Sequence, residues 1–329
     1  MGTVGIIVNP VSGTDIRRVT STAGFMDNMQ KARIVKSILK GLEAAGVDKV
    51  VLMPDFYGVA AHALWDTPSL GVETEFVDME PEGSHLDTVR AVEAMTSMGV
   101  GVIVLLGGDG TVRIASKASG ETPLLPISTG TNNVVPYFID GTVAGLAAGM
   151  VANGLIEASK ATYRLNRVKL ILNGELVDHA LVDVASTRYP FVGSRAIMDP
   201  GLVRDVVVAL APPTSIGLAS IAAMIRPLYP GERAALHLRL GAEGFRVRAI
   251  VAPGVVEEVG VEGFRELRLG EEVVLGDAMT VELDGERELQ VSEGDEVVAI
   301  PSGDGPYILD VHRVMGLASA EGLLRRTSV

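Results

Sequence analysis

Five short strand-like runs, residues 4–8, 50–53, 73–77, 100–106 and 124–127, divide the first half of this 329-residue chain, and helical patterns fill the gaps between them. Residues 31–45 place Ile34, Val35, Ile38, Leu39 and Leu42 on one helical face before Gly46, and residues 86–98 repeat the pattern before Gly99. Strand and helix in alternation predict an α/β fold with a doubly wound parallel sheet, its strands buried on both faces. Ligands of such sheets bind outside the carboxyl ends of the strands. The first turn at Asn9-Pro10, the turn at residues 107–111 and the polar run after Ile127 all lie at such ends.

A different texture begins near Tyr163. Runs of β character recur at residues 168–172, 180–184, 236–240, 246–252, 272–275, 279–283 and 296–300, and Asn173-Gly174 is a hairpin signal. The expected organisation is therefore an α/β domain over residues 1–160, a mostly β domain over 161–305, and a tail, 306–329, that packs back on the first domain. Residues 206–225 form the one stretch of twenty residues without a charge. Pro212-Pro213 cuts it, and Thr214-Ser215 predict the N-cap of a shorter buried helix rather than a membrane span. The first apolar run stops at Asn9-Pro10 and lacks a basic leader, which reads as a first strand of a cytoplasmic protein.

Composition narrows the chemistry. The chain has 28 Lys and Arg against 41 Asp and Glu, a formal charge of −13, which argues against nucleic-acid or anionic-membrane partners. With no cysteine, thiolate metal sites and cysteine nucleophiles are excluded, and the five scattered histidines show no metal-ligand spacing. A small-molecule ligand is the expectation, with no protein-held metal.

Gly107-Gly108-Asp109-Gly110-Thr111 follows the apolar run 100–106 directly. Glycines let a phosphate approach backbone amides and permit positive φ at tight bends. Asp109 is the only charge in the turn, and a carboxylate among phosphates suits metal binding or proton abstraction from an attacking hydroxyl. A purely steric strand-to-helix turn is the plainer alternative. After Ile127, Ser128, Thr129, Gly130, Thr131, Asn132 and Asn133 offer hydroxyls, amides or bare backbone to phosphate or ribose oxygens, or else to a helix cap. Asn9-Pro10-Val11-Ser12-Gly13-Thr14 is a third such loop, and Leu283-Asp284-Gly285-Glu286 reads as an Asp-Gly hairpin turn. Arg17, Arg18, Arg188 and Arg195 are candidate cations for a triphosphate, or solvated surface groups. Neither a Walker Gly-Lys-Ser/Thr sequence nor a His-Arg-Asp catalytic loop occurs.

Taken together, the NPVSG start, the GGDGT turn, the STGTNN loop and the late LDGE resemble the superfamily of NAD kinases, diacylglycerol kinases and sphingosine kinases. Asn9 to Arg18 and Pro126 to Val134 resemble its ATP-NAD kinase-like branch named after the acetoin-catabolism X protein. The resemblance implies an active site in the crevice between an α/β and an all-β domain, ATP as phosphoryl donor, Mg²⁺, and a homo-oligomer. It assigns donor-phosphate binding to Gly107, Gly108, Gly110 and Thr111 and the base to Asp109, and it points to Asn9 and residues 128–133 as nucleotide contacts. One departure concerns the acceptor. Where NAD kinases carry an Asn-Glu pair, this chain reads Ala180-Leu181-Val182-Asp183-Val184. Val182 has no hydrogen-bonding side chain, while Asp183 is either a ribose ligand or a buried strand residue. The expected activity is phosphorylation of a hydroxyl of NAD or a related acceptor. The rivals are a polyol, sugar or acetoin-related acceptor, and a nucleotide-binding regulator without turnover.

Overall fold

The computed structural model describes residues 2–13, 26–130, 133–188, 200–276 and 278–325. Five parallel strands form the frame of the first domain: β1 (Thr3–Val8), β2 (Lys49–Leu52), β3 (Glu73–Phe76), β4 (Val102–Gly107) and β5 (Leu124–Ser128), in the order β3-β2-β1-β4-β5. Both faces are covered. Val4, Ile6 and Val8 of β1 and Val102, Val104 and Leu106 of β4 face one core. Ile7, Ile103 and Leu105 face the other, which continues into the second domain. That two-sided burial is why these strands read as unbroken apolar runs.

The helices of this part are α1 (Asn28–Ala44), α2 (Val59–Trp65), α3 (His85–Ser97), α4 (Asp109–Ser116), α5 (Gly141–Ala152) and the single turn α6 (Ala158–Ala161). A capping box starts α1: the Asp27 carboxylate accepts from Gln30 N at 2.7 Å, and Gln30 Oε1 accepts from Asp27 N at 2.8 Å. The α1 and α5 backbones meet through glycine. A Cβ at Gly145 would lie 2.2 Å from the Ile38 carbonyl oxygen, and one at Gly41 would lie 2.2 Å from that of Thr142.

The second part begins after β6 (Thr162–Arg164). It contains β7 (Arg167–Leu172), β8 (Glu175–Ala180), β9 (Asp183–Thr187), β10 (Val203–Val208), β11 (Ala234–Ala252), β12 (Val255–Arg268), β13 (Val273–Val274), β14 (Thr280–Leu283), β15 (Glu286–Gln290) and β16 (Val297–Ser302). Antiparallel pairing gives a six-stranded sheet, β12-β11-β10-β9-β14-β15, and a four-stranded sheet, β13-β16-β7-β8. Val168, Leu170, Val184, Val207, Val281 and Leu283 pack in a core shared by both sheets. The chain then returns. β17 (Tyr307–Leu309) pairs parallel with β5 and antiparallel with β6, extending the first sheet to seven strands, and α8 (Val311–Glu321) buries Val311, Val314 and Ala318 in the α1/α5 core.

Several local expectations change. The 180–184 run is not one strand: β8 ends at Ala180 and β9 starts at Asp183. Residues 236–240 and 246–252 belong to a single strand, β11, whose pairing with β12 shifts register between Leu240 and Phe245. The uncharged 206–225 segment is the end of β10, a turn and α7 (Leu218–Ile225), and α7 starts after Gly217 rather than at Thr214-Ser215. Gly217 gives α7 no side-chain cap, and its φ of +78° suits glycine. Among the described residues no helix is long and apolar enough to cross a membrane. Asn173-Gly174, both at positive φ, join β7 to β8 as a hairpin.

Candidate functional site

Strand β4 ends at Gly107, Gly108 is the N-cap of α4, and Asp109 opens that helix. Gly108 supplies no side-chain acceptor to the first-turn N–H groups, which leaves the positive end of the helix dipole without a side-chain cap. The three glycines of the turn do different work. A Cβ at Gly107 would fall 2.4 Å from Thr111 Oγ1, and one at Gly108 would fall 2.9 Å from Asn133 Oδ1. At Gly110 the nearest atom is Glu286 Oε2, 3.9 Å away. None of the three has positive φ, so the expected conformational role is absent, and close approach is the reason for glycine at Gly107 and Gly108 but not at Gly110.

Asp109 is 6% exposed. Its Oδ2 accepts from Val134 N at 2.9 Å and its Oδ1 from Val135 N at 2.8 Å, so the carboxylate ties the loop after β5 to the start of α4. The other two loops join the same knot. Asn9 Nδ2 donates to Thr111 Oγ1 at 2.9 Å. Ser12 Oγ donates to the Asn9 carbonyl at 2.8 Å and therefore accepts from Thr129 Oγ1 at 2.7 Å. Thr129 N donates to the Gly107 carbonyl, and Asn133 Nδ2 donates to Ser128 Oγ at 2.7 Å. Thus Asn9, Gly107, Gly108, Asp109, Gly110, Thr111, Ser128, Thr129, Gly130 and Asn133 come together at the carboxyl edge of β1, β4 and β5. Thr111, Ser128 and Thr129 are buried; the Thr111 and Thr129 hydroxyls link loop to loop, and that of Ser128 braces its own loop through Asn133. Thr131 and Asn132 lie outside the described residues, as do Arg17, Arg18 and Arg195, while Arg188 is exposed after β9.

Two features of the knot escape a reading of the sequence. Lys31 is fully buried and donates from Nζ to the carbonyls of Asn9, Pro10 and Ser12 at 3.1, 2.8 and 3.0 Å. Its one sequence signal is a lysine in line with Val35, Ile38 and Leu42, on the apolar stripe of α1. Glu286 is the other: the Asp284-Gly285 turn, at φ +53° and +77°, brings this carboxylate from the second domain over Gly110.

The second domain is fastened to α4 by charge. Arg113, 3% exposed, donates from Nη1 to Asp178 Oδ2 at 2.9 Å and faces Asp284 Oδ2 with Nε at 3.6 Å. Lys117 Nζ reaches Asp178 at 2.8 Å. Asp284 Oδ1 accepts from the amides of Leu181, Val182 and Asp183 at 2.9, 2.7 and 3.4 Å. These bonds hold the break between β8 and β9. Burial pushes the Asp284 carboxyl up to about 6, against the pull of Arg113 and the three amides. His179 is pushed down to about 4, chiefly by burial and then by the Arg167 charge; its Nε2–H donates to Ser116 Oγ at 2.8 Å, because the Ser116 proton goes to the Arg113 carbonyl. Asp183 is buried at the start of β9. Register places it on the same sheet face as Glu282, Thr280 and Thr187, where the two threonine hydroxyls lie 2.7 Å apart. Among the described residues no group of three or more His, Asp or Glu is placed to hold a metal ion.

Comparison with known proteins agrees with this two-part construction. Residues 4–155 match the ATP-NAD kinase N-terminal domain, and residues 166–303 match the acetoin catabolism protein X C-terminal domain. Acetoin catabolism protein X of Cupriavidus necator is 35% identical over an alignment of 336 residues that covers 98% of this chain and 94% of that protein. An uncharacterized protein of Archaeoglobus fulgidus is 38% identical over 135 residues, 40% of this chain and 36% of its own length. A kinase-like α/β sheet with three loops knotted at its carboxyl edge, continued by an antiparallel domain of the matching kind, places this chain in the ATP-NAD kinase-like family that includes acetoin catabolism protein X.

Proposed function

We propose that the chain is a kinase that transfers the γ-phosphoryl group of ATP to a hydroxyl of a small acceptor in the crevice beside Gly110, with NAD the first acceptor to test. The observation that carries this reading is the meeting of the α4 N-terminus and the loops after β1 and β5 with a carboxylate, Glu286, from the other domain. Backbone N–H groups and the dipole of α4 would hold donor phosphates without adding charge. Asp109 would accept the proton of the acceptor hydroxyl as its oxygen bonds to the γ-phosphorus and the bond to the ADP oxygen breaks. Loose phosphoryl-transfer transition states need positioning more than a strong base, so a carboxylate already accepting two amides can serve. Mg²⁺ would enter as an ion carried on the nucleotide phosphates and would supply charge neutralisation there, with Asp109 at the start of α4 and Glu286 over Gly110 the carboxylates that would face it.

The test is direct. Incubation with Mg-ATP and NAD is expected to yield NADP, and Asp109→Asn is expected to lower turnover at least about a hundredfold, the usual worth of a positioned acid or base. Undiminished turnover in that variant removes Asp109 from the role. Two observations favour second readings. Val182 is buried, its N–H goes to Asp284, and it offers no amide to a dinucleotide. ADP release with a polyol or sugar but none with NAD would select that acceptor class. The Asp109 geometry also suits a loop anchor in a nucleotide-binding regulator, for which ATP would raise the melting temperature while no acceptor is turned over.

A further inference from the structure

Turn tips are ordinarily polar, because Gly, Pro, Asn, Asp and Ser serve the bend. The turn after β2 departs from this. Gly58 N donates to the Asp55 carbonyl at 3.0 Å, which puts Phe56 and Tyr57 at the two central positions, 68% and 63% exposed. The fold does not call for these rings. Asp55 makes the bend: its Oδ1 accepts from Tyr57 N at 2.9 Å and its Oδ2 from Val59 N at 3.0 Å, and Gly58 holds φ at +61° before α2 begins. Phe56 also lies against the next turn, since a Cβ at Gly83 would fall 3.4 Å from its Cδ2 and Cε2. That turn is fixed by the buried Asp87 carboxylate, which accepts from the amides of Glu82, Gly83 and Ser84 at 2.9, 2.7 and 3.3 Å. Two rings are thus held out toward water by a braced backbone at the carboxyl edge of the sheet, where ligands of such sheets bind. The strand order β2-β1-β4 sets their distance from the phosphate turn at two strand spacings, about 10 Å between the ends of β2 and β4. The ribose and phosphates of a nucleotide bridge that interval.

We infer that Phe56 and Tyr57 form the platform on which the base of the nucleoside triphosphate stacks. This deepens the proposed function and rests on its reading that the α4 N-terminus and the loops after β1 and β5 hold the donor phosphates. Every nucleobase presents a π-face, so exposed rings bind it without charge, in a chain whose formal charge of −13 gives an anion no help at long range. The same rings offer nothing to a bare polyphosphate. Trp65, 86% exposed at the far end of α2, is the matched comparison, because it lies six residues, about 9 Å, along the helix from Val59 and away from the ligand edge.

The experiment is calorimetric titration of wild type, Phe56→Ala, Tyr57→Ala, Tyr57→Phe and Trp65→Ala with Mg-ATP and with inorganic tripolyphosphate, accompanied by thermal melts and sedimentation. All three positions are exposed, so the variants are expected to fold as wild type does, and the melts check it. Mg-ATP affinity is expected to fall about fivefold to a hundredfold in Phe56→Ala and in Tyr57→Ala, the worth of a base–aromatic stack, and to stay within about twofold in Tyr57→Phe and Trp65→Ala. Tripolyphosphate affinity is expected to hold throughout. Unchanged Mg-ATP affinity in both ring-to-alanine variants of the turn, equal losses for Mg-ATP and tripolyphosphate, or an equal loss in Trp65→Ala overturns the inference. A wild-type dimer that separates in Phe56→Ala or Tyr57→Ala while Mg-ATP affinity is kept assigns the rings to a second copy of the chain and overturns it too. The two readings fail separately. Wild type that binds Mg-ATP with both alanine variants of the turn unaffected keeps the phosphate site and loses the platform. The expected losses in binding, with no phosphoryl transfer to any acceptor, keep the platform and lose the kinase, and wild type that binds neither Mg-ATP nor tripolyphosphate loses both.

Discussion

Asp284 and His179 both lie within reach of the Arg113 charge, and burial shifts their proton affinities in opposite directions. Asp284 rises from its ordinary 3.8 to about 6, so between those values the native protein holds a proton that the unfolded chain has released. Its contribution to stability is complete below pH 4 and is lost as pH rises through 6. His179 falls from 6.5 to about 4, so there the unfolded chain holds the extra proton; its contribution is present above pH 6.5 and is lost as pH falls toward 4. The two slopes oppose each other across nearly the same window. Denaturant melts from pH 4 to 7 are expected to show a shallow profile for wild type. Asp284→Asn should leave stability rising with pH, and His179→Gln should leave it falling, each by on the order of 1–3 kcal/mol over the window. Parallel profiles for all three proteins would refute both assignments.

At the scale of the element, the start of α4 separates glycines needed by the fold from a glycine open to the crevice. A methyl at Gly107 would sit 2.4 Å from Thr111 Oγ1 and 2.5 Å from its Cβ, so the turn must shift. Gly107→Ala is expected to cost about 1–3 kcal/mol, as overpacking does. At Gly110 the nearest atom to such a methyl is 3.9 Å away, and the position is helical with negative φ, where alanine outperforms glycine by about 0.5–1 kcal/mol. Gly110→Ala should therefore melt higher than wild type yet bind Mg-ATP more weakly; tighter stability with undiminished binding would take Gly110 out of the ligand's path. The existence of this turn was legible in the sequence, because a continuous apolar run must end in a bend and three glycines marked it. The division of labour among them was not, since Thr111 and Asn133 impose it through space. The same limit explains the break at Leu181-Val182. Apolar character runs straight through residues 180–184, and only the carboxylate of Asp284, about a hundred positions later in the chain, captures the amides that end one strand and begin the next. Lys31 failed to register for a related reason: lysines are usually solvated, and the carbonyls that hold this one come from a turn across the helix.

For the whole molecule, the question is what keeps Glu286 over Gly110 when the two groups belong to different domains. The chain crosses between the domains near Leu165 and again near Pro306, where Leu165 N donates to the Pro306 carbonyl, and β17 then locks between β5 and β6. Those crossings fix one end of the interface. The other end, beside the crevice, is fixed by Arg113, which meets Asp178 from β8 and Asp284 from the hairpin that carries Glu286. Because the Asp284 carboxylate is wholly buried, removing Arg113 leaves it with the three amides but without its cation, at a cost of about 3–5 kcal/mol, whereas removing Asp284 leaves Arg113 still paired with Asp178 and costs less. Removing both should cost less than the sum. A double-mutant cycle of Arg113→Met and Asp284→Asn, read by denaturant melts at pH 7.5 where Asp284 is ionised, is expected to return a coupling energy of about 1–3 kcal/mol. Additive losses would mean that Arg113 serves Asp178 alone, and the hairpin bearing Glu286 would then be held over the phosphate turn by its sheet pairing with β9 rather than by α4.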